Sequence, residues 1–130
     1  EGGSHGGFLT GWLTGHPKYK DIWSAACLWN AVLNMSYMLA ATDIPIGFPA
    51  DVEKEFDFSS ISAEDVAHFY SRSPQSVVNN VKAPSMFIVG DKDLRVPLTN
   101  LTITCIPLSK EVSIQGFTTI QEGVMVWFSS

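Results

Sequence analysis

Gly2-Gly3-Ser4-His5-Gly6-Gly7-Phe8 opens the chain and decides how the rest is read. Gly2, Ser4 and Gly6 stand in the pattern G-x-S-x-G, which places a serine in a sharp, strained turn between a strand and a helix. The flanking glycines are expected where any side chain would collide with neighbouring backbone. The turn exposes the Ser4 hydroxyl. The helix beginning at the next residue points the backbone N–H of His5, with the helix dipole behind it, at a developing oxyanion. A flexible glycine loop would give the same letters, so the following segments must supply the setting.

They do so in order. Phe8, Leu9, Trp12 and Leu13 recur at helical spacing up to the stop Gly15-His16-Pro17. Ser24 to Leu33 is short and largely apolar, as a buried parallel strand is, and Asn34 with Ser36 can cap a helix from Met35 to Ala41. Ile46 to Ser60 mixes Gly47, Pro49 and the charges Asp51, Glu53, Lys54 and Glu55, which reads as a solvated loop. Ser62-Ala63-Glu64-Asp65 resembles a capping box for a helix ending near Pro74, with a shorter helix over Gln75 to Val81. Ser85 to Gly90 reads as a second buried parallel strand. Strand alternating with helix indicates an α/β sheet. Beyond Pro97, Leu98 to Ile106 is β-branched and alternating and Gly123 to Phe128 is strand-like, so the tail is expected to be strands without a helix.

A serine hydroxyl needs a histidine to take its proton, and that histidine needs a carboxylate to hold its tautomer. Asp93 follows the strand Ser85 to Gly90, which places a carboxylate on the carboxyl edge of the sheet, where the Ser4 turn also lies. It is the candidate acid, with Asp91 as the fallback; the competing reading makes both ordinary turn residues. The histidines are His5, His16 and His68, and none follows Asp93. In the order serine, acid, histidine the third member is therefore not among these residues.

Composition narrows the class. Of 130 residues 45% are hydrophobic and 16% charged, which suits one globular domain. Thirteen acidic against eight basic residues give a net charge of -5 with no basic cluster, so nucleic acid is not expected as a partner. Apolar runs are too short for the roughly 20 residues of a membrane span. Cys27 and Cys105 lack metal or redox spacing, and no signal peptide precedes them, so a cytoplasmic, reduced chain without metal or cofactor is expected. Asn100-Leu101-Thr102 has the letters of a glycosylation sequon, which matters only in secreted proteins.

Several segments resemble the catalytic domain of acylaminoacyl peptidases, in the prolyl oligopeptidase family. Gly2 to Phe8 is similar to the family's serine turn, Asn30-Ala31-Val32-Leu33-Asn34 resembles its Asn-Pro-Val-Ile-Asn strand end, and Thr42-Asp43-Ile44-Pro45 is the most family-specific piece. Phe58-Ser59-Ser60, Ser73-Pro74, Val81-Lys82-Ala83-Pro84 and Gly90 to Pro97 follow in order and spacing, and Asp93 falls on the family's triad Asp. Trp29 and Ala31 depart from it, standing for an Arg and a Pro. The resemblance covers residues 2 to 97 and implies Ser4 as nucleophile, Asp93 as triad acid and the His5 N–H as one oxyanion donor.

What it implies of fold is part of an α/β-hydrolase, a parallel sheet flanked by helices and incomplete at both ends. Residues 1–97 belong to the catalytic domain and 98–130 form a divergent tail. The function implied is that of a serine peptidase whose parent releases N-acylated residues from blocked peptides. The parent's partner is an N-acylated peptide, and it can be homo-oligomeric. The chain alone is expected to be inactive without the triad histidine. Two rivals stand beside it: a carboxylesterase-type hydrolase, since fold alone does not settle substrate, and a truncated product acting only through association.

Overall fold

The computed structural model describes residues 1–44, 60–111, 113–120 and 123–129, with backbone alone from residue 105 onward. The loop expected over Ile46 to Ser60 thus lies outside the described residues except at its last position.

Three short strands run parallel: β1 (Gly2–Gly3), β2 (Ala26–Trp29) and β3 (Ser85–Gly90). Gly3 pairs with Trp29 and Trp29 with Ile88, so all three strands end along one edge. The apolar run from Ser24 to Leu33 is longer than β2 because Asn30 takes a positive φ of 41° and turns the chain out of the sheet. Strands β4 (Ser113–Ile120) and β5 (Gly123–Ser129) complete the order β1-β2-β3-β5-β4, with β5 antiparallel to both β3 and β4. The strand expected over Gly123 to Phe128 is therefore present.

Helix α1 (His5–Gly15) returns over the sheet. Its glycines at every fourth position form a face without side chains. A methyl group on Gly7 would lie 2.4 Å from the Ala31 Cβ, and one on Gly15 would lie 2.6 Å from the Val77 carbonyl oxygen. That face lets α1 pack closely against the 3-10 helix Pro74–Asn80, the form taken by the short helix expected there. Helix α2 (Met35–Ala41) starts where expected, with the Asn34 side chain accepting from the Tyr37 N–H at 2.9 Å. Helix α3 (Ala63–Ser71) carries the full capping box: Ser62 Oγ accepts from Asp65 N–H, and Asp65 accepts from Ser62 N–H.

One expectation is overturned. Leu98 to Ile106 is not a strand; it lies within α4 (Leu98–Glu111). The helix begins with the Asn100 N–H donating to the Pro97 carbonyl at 2.8 Å. Asn100, Leu101 and Thr104 are buried on one stripe, and Leu98 packs partly against the core. Two of the three buried positions among the described side chains are polar, so the helical period is hidden from an apolar pattern, while β-branched residues mimic a strand. Burial against the sheet and the 3-10 helix outweighs their modest propensity.

The core has two parts. Ala26, Leu28, Phe87 and Val89 of the sheet meet Val78 and Leu101. Val32, Met35, Met38, Leu39, Phe69 and Val96 form a second cluster, against which Phe8 of α1 packs.

Candidate active site

Ser4 sits between β1 and α1 with φ 51° and ψ -118°, backbone angles that side chains other than glycine rarely adopt and that cost about 1–3 kcal/mol. The surroundings hold it there. Its N–H donates to the Trp29 carbonyl at 2.9 Å, and its own carbonyl accepts from Phe8 N–H at 3.0 Å. Serine at the head of a helix ordinarily caps it, yet here the hydroxyl makes no cap bond and the residue is exposed. The Ser4 hydroxyl is thus left uncommitted to the helix and open to solvent, as a nucleophile requires.

The glycines divide differently from expectation. A methyl on Gly2 would sit 2.2 Å from the Gly6 carbonyl oxygen and 2.8 Å from Thr10 Oγ1, so Gly2 is sterically required. Gly6 faces open space among the described residues, and Gly7 is the position pressed on Ala31. The second steric constraint has moved by one residue because Gly7, not Gly6, lies on the face of α1 that meets the chain leaving β2.

His5 is the first residue of α1, so its N–H has no partner within the helix, and no other described residue accepts from it. Its imidazole is exposed and lies over Phe8, ring centroids 5.6 Å apart. His16 Nδ1 accepts from Lys18 N–H at 3.2 Å, and His68 lies in α3.

Asp93 follows the end of β3 on the edge that carries Ser4, while Asp91 is exposed in the same turn. One carboxylate oxygen of Asp93, Oδ1, accepts from Arg95 N–H at 2.8 Å and Val96 N–H at 3.0 Å. The other, Oδ2, accepts from Asn30 Nδ2. None of these donors is a histidine. Asn30 was not singled out by the sequence as a site residue: it lay within the run Ser24 to Leu33 read as a strand, and its one advance signal is its place at the head of the family-like segment Asn30 to Asn34.

The Asp93 loop is gripped from outside as well. Thr42 Oγ1 donates to the Arg95 carbonyl at 2.8 Å, Asp43 N–H donates to the Leu94 carbonyl at 3.1 Å, and Arg95 Nε donates to Asp43 Oδ1 at 2.5 Å. The Arg95 guanidinium hydrogen-bonds Asp43 and holds its carboxyl below the ordinary value of 3.8. The folded pKa is the lower one, so this clasp is present at neutral pH and is lost as acid protonates Asp43. Thr42 and Asp43, in the most family-specific stretch of the sequence, are thus a strap on the Asp93 loop. Inside, Val96 of that loop and Phe8 of α1 rest on the same apolar cluster, which ties the placement of Asp93 to that of Ser4. Among the described residues no group of His, Cys, Asp and Glu is arranged to hold a metal ion.

Comparison with known proteins bears on the family and the fold. A family model described as the prolyl oligopeptidase family matches residues 1–112, running past Pro97 through α4. The chain is 45% identical over 101 residues to the acylamino-acid-releasing enzyme of Arabidopsis thaliana, covering 76% of this chain and 13% of that protein. It is 38% identical over 99 residues to the Sus scrofa enzyme of the same description, covering 74% of this chain and again 13% of the relative. Among solved structures, an acylaminoacyl peptidase in complex with Z-Gly-Gly-Phe-chloromethyl ketone superposes with a TM-score of 0.65 at 23% identity, over 82% of this chain and 16% of that one. The Pyrococcus horikoshii acylaminoacyl peptidase does so with a TM-score of 0.65 at 22% identity, over the same shares. That likeness gives the fold, part of an α/β-hydrolase. The chain spans roughly an eighth of the length of the curated relatives it matches, 13% in each case.

Proposed function

The chain belongs to the prolyl oligopeptidase family, and on that premise we propose that it carries the nucleophile and acid arms of a serine peptidase whose whole enzyme releases N-acylated residues from blocked peptides. The observation that carries this reading is the left-handed turn at Ser4, exposed on the sheet edge where the Asp93 carboxylate is also held.

The chemistry follows from those groups. Ser4 Oγ attacks the carbonyl carbon of the acylated residue while a histidine takes its proton. The carbonyl oxygen becomes an oxyanion facing the unpartnered His5 N–H. The amine leaves with the proton returned by the histidine, and water then releases the acylated amino acid from the serine ester. Asp93 holds the histidine's tautomer. No histidine follows Asp93 in these residues and none donates to its carboxylate, so the 130-residue chain by itself is expected to turn over negligibly.

Grafting tests this. Residues 1–97 replace the matching stretch of the Arabidopsis relative, and hydrolysis of an acetyl-alanyl anilide is measured. The chimera should cleave it, and Ser4→Ala should lower kcat on the order of 10⁶-fold. The isolated chain should resist labelling by a fluorophosphonate probe. Rapid labelling of Ser4 in the isolated chain would overturn the claim of a missing base. A folded chimera that cleaves only simple acyl esters would support the esterase reading instead.

A further inference from the structure

Ser4 and Asn30 are the described non-glycine residues with positive φ, at 51° and 41°. The Ser4 turn serves the nucleophile, and Asn30 lies on the same edge, immediately after β2. Asparagine tolerates this left-handed conformation better than most residues, but glycine would be easier still, so the side chain must do something that glycine cannot.

The amide of Asn30 touches both ends of the turn after β3. Its Oδ1 accepts from the Gly90 N–H at 3.3 Å, which leaves Nδ2 facing the loop, where it donates to Asp93 Oδ2. Its own N–H donates to the Ile88 carbonyl at 2.9 Å, so the amide is anchored on the strand that delivers Asp93. An ionised carboxylate has about four lone-pair sites, two on each oxygen. On Asp93, Oδ1 has both filled by the N–H groups of Arg95 and Val96, and Oδ2 has one filled by Asn30.

We propose that Asn30 is a positioning residue for the acid: it fixes the rotation of the Asp93 carboxylate so that one remaining lone pair of Oδ2 is presented to the imidazole. This deepens the peptidase reading and rests on Asp93 being the triad acid. A glycine at position 30 keeps the turn but frees the carboxylate to rotate. An aspartate keeps the shape but sets two carboxylates against each other.

Amide hydrogen exchange on the full 130-residue chain tests it, with wild type, Asn30→Gly and Asn30→Asp compared by NMR. Glycine adopts positive φ at little cost, so Asn30→Gly removes the amide alone. Protection of the Arg95 and Val96 N–H groups should fall about tenfold in Asn30→Gly, the loss expected of a hydrogen bond to a charged group, and further in Asn30→Asp. Phe87 and Val89 in β3 should keep theirs. Unchanged protection at Arg95 and Val96, or an equal loss throughout β3, would overturn the proposal, the second outcome marking a merely structural turn. In the reciprocal variant Asp93→Asn, the side-chain amide resonances of Asn30 should move; if they stay in place the contact is not made. Such a failure leaves the anilide assay of the chimera standing, and an inactive chimera leaves this exchange pattern standing, so the two readings fail separately.

Discussion

Gly6 and Gly7 are neighbours in the sequence and carry opposite constraints in the fold. An alanine at Gly7 must displace Ala31, whose Cβ lies 2.4 Å from where the new methyl would be, whereas one at Gly6 meets nothing within 4 Å among the described residues. Gly7→Ala is therefore expected to destabilise by about 1–3 kcal/mol through overpacking. Gly6→Ala is expected to stabilise by about 0.5–1 kcal/mol by restricting the unfolded chain and favouring the helix. Urea midpoints of the two variants should move in opposite directions. At this scale the serine turn was legible because G-x-S-x-G is a local conformation written in adjacent letters. The Gly7 contact and the Asn30 grip on Asp93 were not, since each depends on a residue many positions away.

Asn100 ties the start of helix α4 to the chain leaving β2. Asn100 is 0% exposed; its Oδ1 accepts from Leu33 N–H at 2.8 Å and Asn34 N–H at 3.3 Å, and its Nδ2 donates to the Asn34 carbonyl at 3.0 Å. From there the bonds continue through Asn34 Nδ2 to Gln75 Oε1 at 2.6 Å and Gln75 Nε2 to the Ile103 carbonyl at 3.0 Å, which closes the loop back to α4. The sequon letters at Asn100 thus belong to a side chain with no room for a glycan in the folded chain. Asn100→Ala leaves buried backbone groups unpaired and should cost about 1–3 kcal/mol, read from the urea midpoint. The elements α1, α2, α3 and β3 were legible from periodicity and caps. Helix α4 was not, because among its described side chains, residues 98–104, the buried ones are Asn100 and Thr104 beside Leu101.

In β2 and β3, whose side chains are described, one face is packed and the other less so. Leu28 and Phe87 are buried under helices, while on the alternate positions Cys27, Met86 and Ile88 are only half-buried and Trp29 is 50% exposed. The sheet's outer strands are the two-residue β1 and β4, Ser113–Ile120, which carries no charged residue or proline to discourage pairing. The 130-residue chain is accordingly expected to self-associate, with a sedimentation coefficient that rises with concentration; a compact monomer at every concentration would contradict this. What the sequence by itself determined is the set of local conformations and their order: the strained serine turn, the capped helices and the strand that leads to Asp93, all encoded by residues within a few positions of one another. Only the tertiary structure decided that Gly7 rather than Gly6 bears the contact, that residues 98–111 are helical, and that Asn30 and Asp43 hold the Asp93 loop. Those outcomes depend on burial and on hydrogen bonds between residues tens of positions apart, which no local pattern records.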